Sequence, residues 1–371
     1  MATGACVRPA LGAVEHASDR LRQAGRFGLK LQGAERSRPR SRLHRRPMRE
    51  APYPSDSPMA PTVLLADIGG TTTRIARAGV DGVPFDIRLE ANDSYGSIED
   101  LLKTYLDSLG GEPPRCAALA VAGPIDGDTV RLTNRNWRFS SEALARELSF
   151  LHLTVLNDFE ALAHGLPLLT RDDLMEVGTG RRVAGAPMLL SGPGTGLGTA
   201  LILPREDGYE VLPSEAGHMR LGAVTTDEAR IVAHLVRDLG PVSVEHVLSG
   251  PGLVRLHRIL SGEQLSSHAI IKAALDGQWQ EKESCHIFLR LLGRVLGDLA
   301  LAFDAKGGVY VGGGIGRAMA PLFTESPFRA AFEEHPPYLD RLSLIPIHVV
   351  THATPGLIGI GEIGRRLLVS E

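Results

Sequence analysis

From residue 62 onwards, apolar residues fall into short runs separated by glycine, proline and polar turns. Val63–Ala66 has the length of a buried strand, and Thr73–Ala78 alternates apolar and polar residues as a strand with one buried face does. Ile98–Leu109 has the spacing of an amphipathic helix, with Ser97 as its cap and Gly110 at its end. Strands alternating with helices predict an α/β fold.

The later part of the chain continues this alternation. A β-rich block spans Pro187–Leu203, and the last third is mainly helical. The clearest helices there are predicted at Val242–Leu260 and Ser284–Ala305. A glycine-rich strand end, GGVYVGGGIG, follows the second of them.

Two segments have the same plan of apolar strand, glycine–threonine turn and second strand. They are VLLADIGGTTTRIARA and MLLSGPGTGLGTALI, and their turns lie about 125 residues apart in the chain. This spacing is too long for a solenoid repeat, where periods are about 20–50 residues. The two hairpins favour a protein built from two related halves.

The bare turns of these hairpins are candidate anion sites. Glycine lets backbone N–H groups approach a ligand closely, and a third cluster, Gly312–Gly314, adds a similar surface. The sequence contains no Gly-Lys dipeptide, which excludes a P-loop, and none of these three glycine clusters has the G-x-G-x-x-G spacing of the usual dinucleotide fingerprint. Asp67 would repel a phosphate beside it unless a cation lies between them. We therefore predict a binding site for a magnesium-bound polyphosphate.

Several polar residues are candidates for binding or catalysis. Asn157 and Asp158 end a short apolar strand, where a carboxylate either accepts a proton as a general base or caps the next helix. Glu215 and His218 lie three residues apart in a turn and suit hydrogen bonds to a polyol. For Asn134 and Glu245, the local sequence alone gives no indication of a functional role.

Composition and charge change the picture at the N-terminus. The chain has 371 residues, and residues 1–60 have a charge of about +7, which leaves about −10 for the rest. We expect residues 1–60 to form a disordered basic extension, although a nucleic-acid-binding arm or a transit-type leader would share this composition. The scattered Cys6, Cys116 and Cys285 argue against a disulfide framework and fit a cytoplasmic location. No apolar run approaches the roughly 18 residues needed to cross a membrane.

Seven motifs in order resemble the bacterial glucokinase branch of the hexokinase superfamily. They are LADIGGTTTR, AGPIDGDTVRLTNRNW, LNDFEALAHGLP, SGPGTGLGTALI, SEAGH, EHVLSGPGLV and VYVGGGIGRA. The resemblance runs from about residue 62 to the C-terminus. It implies a two-domain actin-like (ribonuclease H-like) ATPase fold with an interdomain cleft. Residues 61–168, completed by about 355–371, would form a small α/β domain, and residues 169–354 a large one.

The same resemblance implies ATP-dependent phosphorylation of glucose at its 6-hydroxyl, as in glycolysis, with ATP and Mg²⁺ as cofactors. Asp158 would be the catalytic base, and Asp67 would help hold the metal. The sugar would be bound by Asn134, Asn157, Asp158, Glu215, His218 and Glu245. The nucleotide would be bound by Asp67, Ile68, Gly69, Gly70, Thr71, Thr72, Gly194, Thr195, Gly196, Gly312, Gly313 and Gly314. The family implies a homodimer, with no nucleic-acid or membrane partner.

Two positions depart from the family pattern. The first motif is usually GGTN, whereas Thr72 is its fourth residue here, which leaves open how that loop orders phosphate or water. The sugar motif is usually EGGH, and Ala216 replaces a glycine. Alanine is harmless there if the backbone has negative φ. The chain lacks the zinc-binding cysteine cluster of the repressor/open-reading-frame/kinase group, which places it outside that group.

Two other functions compete with glucose phosphorylation. One is a sugar- and nucleotide-sensing regulator on the same fold that has lost catalysis and contacts nucleic acid through its basic leader. The other keeps the kinase chemistry but takes mannose, fructose or glucosamine. The sequence leaves open whether ADP or polyphosphate replaces ATP as the phosphoryl donor.

Overall fold

A computed structural model describes residues 61–133, 135–206 and 208–369. By their contacts these residues form a single unit. The predictions for residues 1–60 and Asn134 lie outside the described residues.

The first half of the described chain alternates strands and short helices. Its strands are β1 (Val63–Ile68), β2 (Thr72–Ala78), β3 (Pro84–Ala91), β4 (Cys116–Val121), β5 (Ile125–Asp126), β6 (Thr129–Arg131), β7 (Arg138–Ser140) and β8 (His152–Asn157). Its helices are α1 (Ile98–Asp107), α2 (Ser141–Glu147) and α3 (Asp158–Gly165), with 3₁₀ helices at Asn92–Ser94, Leu166–Leu168 and Arg171–Asp173.

The second half contains six strands and most of the helices. The strands are β9 (Leu174–Glu176), β10 (Met188–Pro193), β11 (Leu197–Arg205), β12 (Gly208–Ser214), β13 (Val309–Val311) and β14 (Ile347–Val350). The helices are α4 (Thr226–Leu239), α5 (Gly250–Ser261), α6 (Ser267–Leu275), α7 (Trp279–Ala302), α8 (Gly314–Ala318), α9 (Phe328–Glu333), α10 (Leu339–Ser343) and α11 (Pro355–Val369), with 3₁₀ helices at Ala216–His218, Val244–His246 and Ala320–Leu322.

The two main sheets have the same topology. The first has the order β3-β2-β1-β4-β8, and the second β12-β11-β10-β13-β14 with β9 added at its edge. In the first sheet, β1 pairs antiparallel with β2 and parallel with β4. In the second sheet, β10 pairs in the same way, antiparallel with β11 and parallel with β13. The predicted plan of two related hairpins is therefore observed in the structure.

Helices α3 and α11 pack together between the sheets. Ala161 of α3 packs in one apolar cluster with Leu357 and Ile360 of α11 and with the first sheet. Leu162 of the same helix packs in another cluster with strands of the second sheet. The two helices touch through their backbones, because a Cβ added at Gly359 would lie 1.7 Å from the carbonyl oxygen of Ala161. Helix α3 therefore packs against both main sheets.

Some predicted element bounds are wrong, for local reasons. Strand β1 continues beyond Ala66 through Asp67 and Ile68. The predicted helix Val242–Leu260 is a 3₁₀ turn followed by α5, because Ser249 caps a new helix by accepting a hydrogen bond from the backbone N–H of Gly252. The predicted helix Ser284–Ala305 is α7, which begins five residues earlier, at Trp279, and ends at Ala302. The Ser97 cap of α1 is confirmed, since its hydroxyl accepts from the N–H of Asp100.

Among the helices that the structure describes, none combines the length and apolar character needed to cross a membrane.

Candidate active site

Asp158 is the first residue of α3, and its carboxylate is available to a ligand. The helix cap is its neighbour Asn157, whose Oδ1 accepts from the N–H of Phe159 at 2.9 Å and whose Nδ2 donates to the carbonyl of Gly123 at 3.3 Å. Asp158 is solvent-exposed. The cap of α3 is therefore Asn157 and not Asp158, and the general-base role remains as the prediction for Asp158.

Asp67 lies close enough to Asp158 to affect the pKa of the Asp158 carboxyl group. Part of Asp158 reaches the surface, but protein atoms crowd around its carboxylate and displace much of its water; this desolvation, and then repulsion from the Asp67 carboxylate, raise the pKa of Asp158 to about 6. Burial raises the pKa of Asp67 above its ordinary value, while the Arg74 guanidinium, 3.6 Å away, opposes that rise. A carboxyl group with a pKa close to neutrality suits proton transfer at physiological pH.

The first glycine turn is held by a residue that the sequence analysis missed. Asn92 is fully buried, donates from Nδ2 to the carbonyl of Gly69 at 2.8 Å, and accepts at Oδ1 from the Thr73 hydroxyl at 2.8 Å. Its backbone N–H donates to the carbonyl of Thr71 at 2.9 Å. The turn also closes on itself, with the Gly69 N–H donating to the Thr72 carbonyl at 3.0 Å. The loop is thus ordered without an asparagine at position 72.

The residues of this first loop differ in solvent exposure. Thr71 is exposed, and Gly69, Gly70 and Thr72 are half-buried. Ile68 differs because its side chain is fully buried in the core and its carbonyl oxygen accepts from the N–H of Ala122. Any ligand contact from Ile68 is therefore limited to its backbone.

The second glycine turn and the third glycine cluster form one backbone surface. The N–H of Gly194 donates to the carbonyl of Gly196 at 2.8 Å, and Thr195 between them is exposed. Gly312 donates to the carbonyl of Ser191 at 3.0 Å, at the base of this turn. Gly313 has φ +79°, and a Cβ there would lie 2.5 Å from the Pro193 carbonyl. This contact places Gly312–Gly314 directly against the second turn.

The predicted sugar residues of the second half lie around Leu197. Glu245, on the 3₁₀ helix Val244–His246, accepts at Oε2 from the N–H of Leu197 at 3.0 Å. Glu215 and His218 are exposed at the two ends of the 3₁₀ turn Ala216–His218, with Oε2 and Nε2 3.8 Å apart. A Cβ added at Gly217 would lie 2.6 Å from the Leu197 carbonyl. Leu197 therefore contacts both segments.

The two departures from the family motifs are compatible with this site. Ala216 begins a 3₁₀ turn, a conformation of negative φ in which alanine is unstrained. Thr72 is the first residue of β2, and its carbonyl takes part in closing the first loop.

Helix α3 brings the groups of the two halves together. Asp158 lies within electrostatic range of Asp67, whose carboxylate helps to raise the pKa of Asp158. The next residue, Phe159, packs on the second hairpin, since a Cβ added at Gly198 would lie 2.4 Å from its ring. The N-terminus of α11 also points at Asp67, because a Cβ on Gly356 would lie 3.8 Å from that carboxylate. Such a helix end supplies positive potential for bound anions.

Comparison with known proteins settles the family. The family model described as Glucokinase matches residues 64–366, which is most of the chain. The chain belongs to the glucokinase family. A glucokinase from Chromobacterium violaceum is 40% identical over 304 residues, covering 80% of this chain and 87% of the relative. A glucokinase from Paramagnetospirillum magneticum is 40% identical over 311 residues, covering 81% and 97%.

A solved glucokinase structure has the same fold. The crystal structure of a glucokinase from an Antarctic psychrotroph aligns with a TM-score of 0.74 at 32% identity, covering 83% of this chain and all of that chain. The predicted α/β, actin-like ATPase fold of the glucokinase family is therefore confirmed. The exact boundaries of the small and large domains stay a prediction.

Proposed function

We propose that this protein is an ATP-dependent glucokinase that transfers the γ-phosphoryl group of ATP to the 6-hydroxyl of glucose, with Asp158 as the general base. The observation that supports this most strongly is the state of Asp158. It is exposed at the start of α3, directly after the helix cap Asn157, and has a pKa of about 6.

The proton-transfer step follows from that position. The carboxylate of Asp158 accepts the proton of the 6-hydroxyl as the hydroxyl oxygen attacks the γ-phosphorus. The bond between the γ-phosphorus and the β–γ bridging oxygen breaks, and ADP leaves with that oxygen. Phosphoryl transfer of this kind depends mainly on positioning and on charge stabilisation.

The two glycine turns supply the phosphate contacts. Gly69–Thr72 and Gly194–Gly196 offer backbone N–H groups and the exposed hydroxyls of Thr71 and Thr195. Gly312–Gly314 lies on the nucleotide side of the second turn. The N-terminal end of α11 adds positive potential near Asp67.

The residues around Asp67 fit a magnesium ion. Asp67 is a half-buried carboxylate with one arginine 3.6 Å away, and Asp158 adds a second carboxylate nearby. Hard oxygen ligands with excess negative charge are what Mg²⁺ requires. Asp67 would hold the ion directly or through water, and the ion would neutralise charge on the transferred phosphoryl group.

The sugar would be bound by hydroxyl contacts from both halves. Asn157 uses one amide proton and one oxygen lone pair within the protein, which leaves one of each for a sugar hydroxyl. Glu215, His218 and Glu245 lie around Leu197 on the other side, and Asn134 completes the predicted set. A site with this many polar groups rejects analogues that lack a hydroxyl, because its own groups would be left unpaired.

A coupled assay with purified protein tests this proposal. Glucose, mannose, fructose and glucosamine are each combined with ATP, ADP or polyphosphate, with and without Mg²⁺. We expect turnover with glucose, ATP and Mg²⁺ to exceed that of every other combination. A preference for another hexose would correct the substrate, and no turnover with any pair would contradict the proposal.

Substitution of the proposed base tests the role of Asp158. Asp158→Asn keeps the shape of the side chain and removes the proton acceptor, so kcat should fall by about 10²- to 10⁴-fold with little change in glucose affinity. Asp107→Asn, at an exposed position on α1, is the matched control and should retain full turnover. Near-normal turnover of Asp158→Asn would remove this residue from the base role.

A cytoplasmic location, a homodimer, and the lack of nucleic-acid and membrane partners stay predictions.

A further inference from the structure

We infer that the Glu245 carboxylate links the sugar pocket to the second phosphate loop through its hydrogen bond to Leu197. The inference rests on the proposed function, in which Glu245 binds a glucose hydroxyl and Gly194–Gly196 binds ATP phosphates. It assigns Glu245 a second role, that of positioning the loop.

The contact between the two sites is direct. Oε2 of Glu245 accepts from the N–H of Leu197 at 3.0 Å, and Leu197 is the residue immediately after the loop. The loop backbone presses on the same carboxylate, since a Cβ added at Gly196 would lie 2.2 Å from Oε2 and 2.9 Å from Cδ. A carboxylate has about four acceptor sites, so the Leu197 contact leaves capacity for a sugar hydroxyl.

The segment that presents Glu245 is tied to both neighbouring loops. The carbonyl of Glu245 accepts from the Ser249 hydroxyl at 2.8 Å, and the N–H of Gly250 donates to the carbonyl of Gly194 at 2.8 Å. At the other end, the N–H of Val244 donates to the carbonyl of Met219, next to His218, at 2.8 Å. A displacement of Glu245 is therefore transmitted to the phosphate loop at Leu197.

Coupling of this kind has a thermodynamic consequence. A sugar that fixes the Glu245 carboxylate also fixes the Leu197 N–H and orders the loop that receives phosphate. By linkage, a nucleotide that orders the loop must strengthen sugar binding by the same factor. The affinities for glucose and for a non-hydrolysable ATP analogue are expected to increase together.

A matched pair of substitutions in one loop tests this link. Gly196→Ala places a methyl group against Oε2, and because that atom ends a flexible side chain, the carboxylate moves off Leu197 while the fold is kept. Gly194→Ala meets nothing within 4 Å and leaves the carboxylate in place. Neither glycine has the positive φ that would strain an alanine.

The first readout is glucose affinity without nucleotide, measured by titration calorimetry. Gly196→Ala should weaken glucose binding by roughly 10- to 100-fold, the effect of a misplaced charge-assisted hydrogen bond. Gly194→Ala should bind glucose within about twofold of the unmodified protein, the usual scatter for uncoupled sites, and should bind the ATP analogue more weakly. Unchanged glucose affinity in Gly196→Ala would overturn the inference.

The second readout is the ratio of glucose dissociation constants without and with the ATP analogue. The ratio should exceed one in the unmodified protein and fall to less than half of that value in Gly196→Ala. If Gly196→Ala does not fold, as judged by circular dichroism, Glu245→Ala provides the same comparison because it removes the acceptor. An unchanged ratio would overturn the link, whereas an unmodified protein that binds neither ligand would overturn the proposed function instead.

Discussion

At the scale of single residues, the pKa of Asp158 has a direct effect on the pH profile. A general base acts when it is deprotonated, and loss of solvation together with Asp67 raises the pKa of Asp158 to about 6. We expect kcat/KM for glucose to be constant at neutral pH and to fall as pH drops below about 6, by about tenfold per unit. The measurement is a profile from pH 5 to 8 with the magnesium–ATP complex kept saturating. A profile that stays flat down to pH 5 would contradict the assignment.

Asn92 gives a second prediction at this scale. Asn92→Ala leaves the Gly69 carbonyl and the Thr73 hydroxyl without their buried partner, which costs about 1–3 kcal/mol for each unsatisfied group. We expect a lower free energy of unfolding and a raised KM for ATP, with KM for glucose unchanged. Thr73→Val keeps the Gly69 contact, so it should lower stability without raising KM for ATP. Equal increases in both KM values would exclude a specific effect on the loop.

Residue types indicated some of this site and not the rest. Asp67, Asp158 and the glycine turns were candidates because carboxylates and bare turns at strand ends often bind ligands, and the seven-motif resemblance then implied their roles. Asn92 lies about twenty residues from the loop it holds, in a polar stretch with no pattern of its own. The role of Leu197 was equally hidden, because a backbone N–H leaves no trace in the sequence.

At the scale of elements, α3 carries Asp158 and packs against both main sheets. Phe159 packs on Gly198 of β11, so Gly198→Ala forces a methyl group to within 2.4 Å of the ring. We expect overpacking to lower the free energy of unfolding by about 1–3 kcal/mol and to reduce kcat, because Asp158 is displaced with α3.

Urea denaturation and steady-state kinetics measure both effects of Gly198→Ala. Gly222→Ala is the control, since an added Cβ there meets nothing within 4 Å. Stability and kcat both unchanged in Gly198→Ala would show that α3 does not depend on this contact.

The elements themselves were predictable where periodicity was strong. The hairpins β1–β2 and β10–β11 were recognised from their alternating and apolar runs, and α1 from its cap. The predicted helix through Val242–Leu260 was wrong because its apolar spacing continues across Ser249, whose cap divides it. Side-chain capping of this kind competes with periodicity and is visible only when the backbone partner is known.

At the scale of the whole molecule, the role of residues 1–60 can be tested by truncation. The glucokinase match begins at residue 64, and the described site residues all follow it. A protein that begins at Met59 should therefore keep kcat and both KM values within about twofold of the full chain. Kinetics and nucleic-acid binding of both forms are compared. Loss of activity on truncation, or nucleic-acid binding by the full chain alone, would favour the regulatory function.

The duplicated topology was predictable from the two similar hairpins, but the pairing of the remaining strands in each sheet was not. The order β3-β2-β1-β4-β8 matches β12-β11-β10-β13-β14, while β9 extends only the second sheet. The pairing of β9 with β14 brings together segments more than 170 residues apart in the chain. Such contacts depend on the tertiary structure and leave no local pattern.

The position of α11 has a consequence for biosynthesis. Helix α11 covers strand β1, with Gly364 against Val63, and its N-terminal end lies beside Asp67. A nascent polypeptide on the ribosome therefore has an uncovered apolar sheet face until α11 has been translated. The carboxylate of Asp67 acquires its final surroundings only after α11 has left the ribosome, so loss of α11 should leave a product dependent on chaperones.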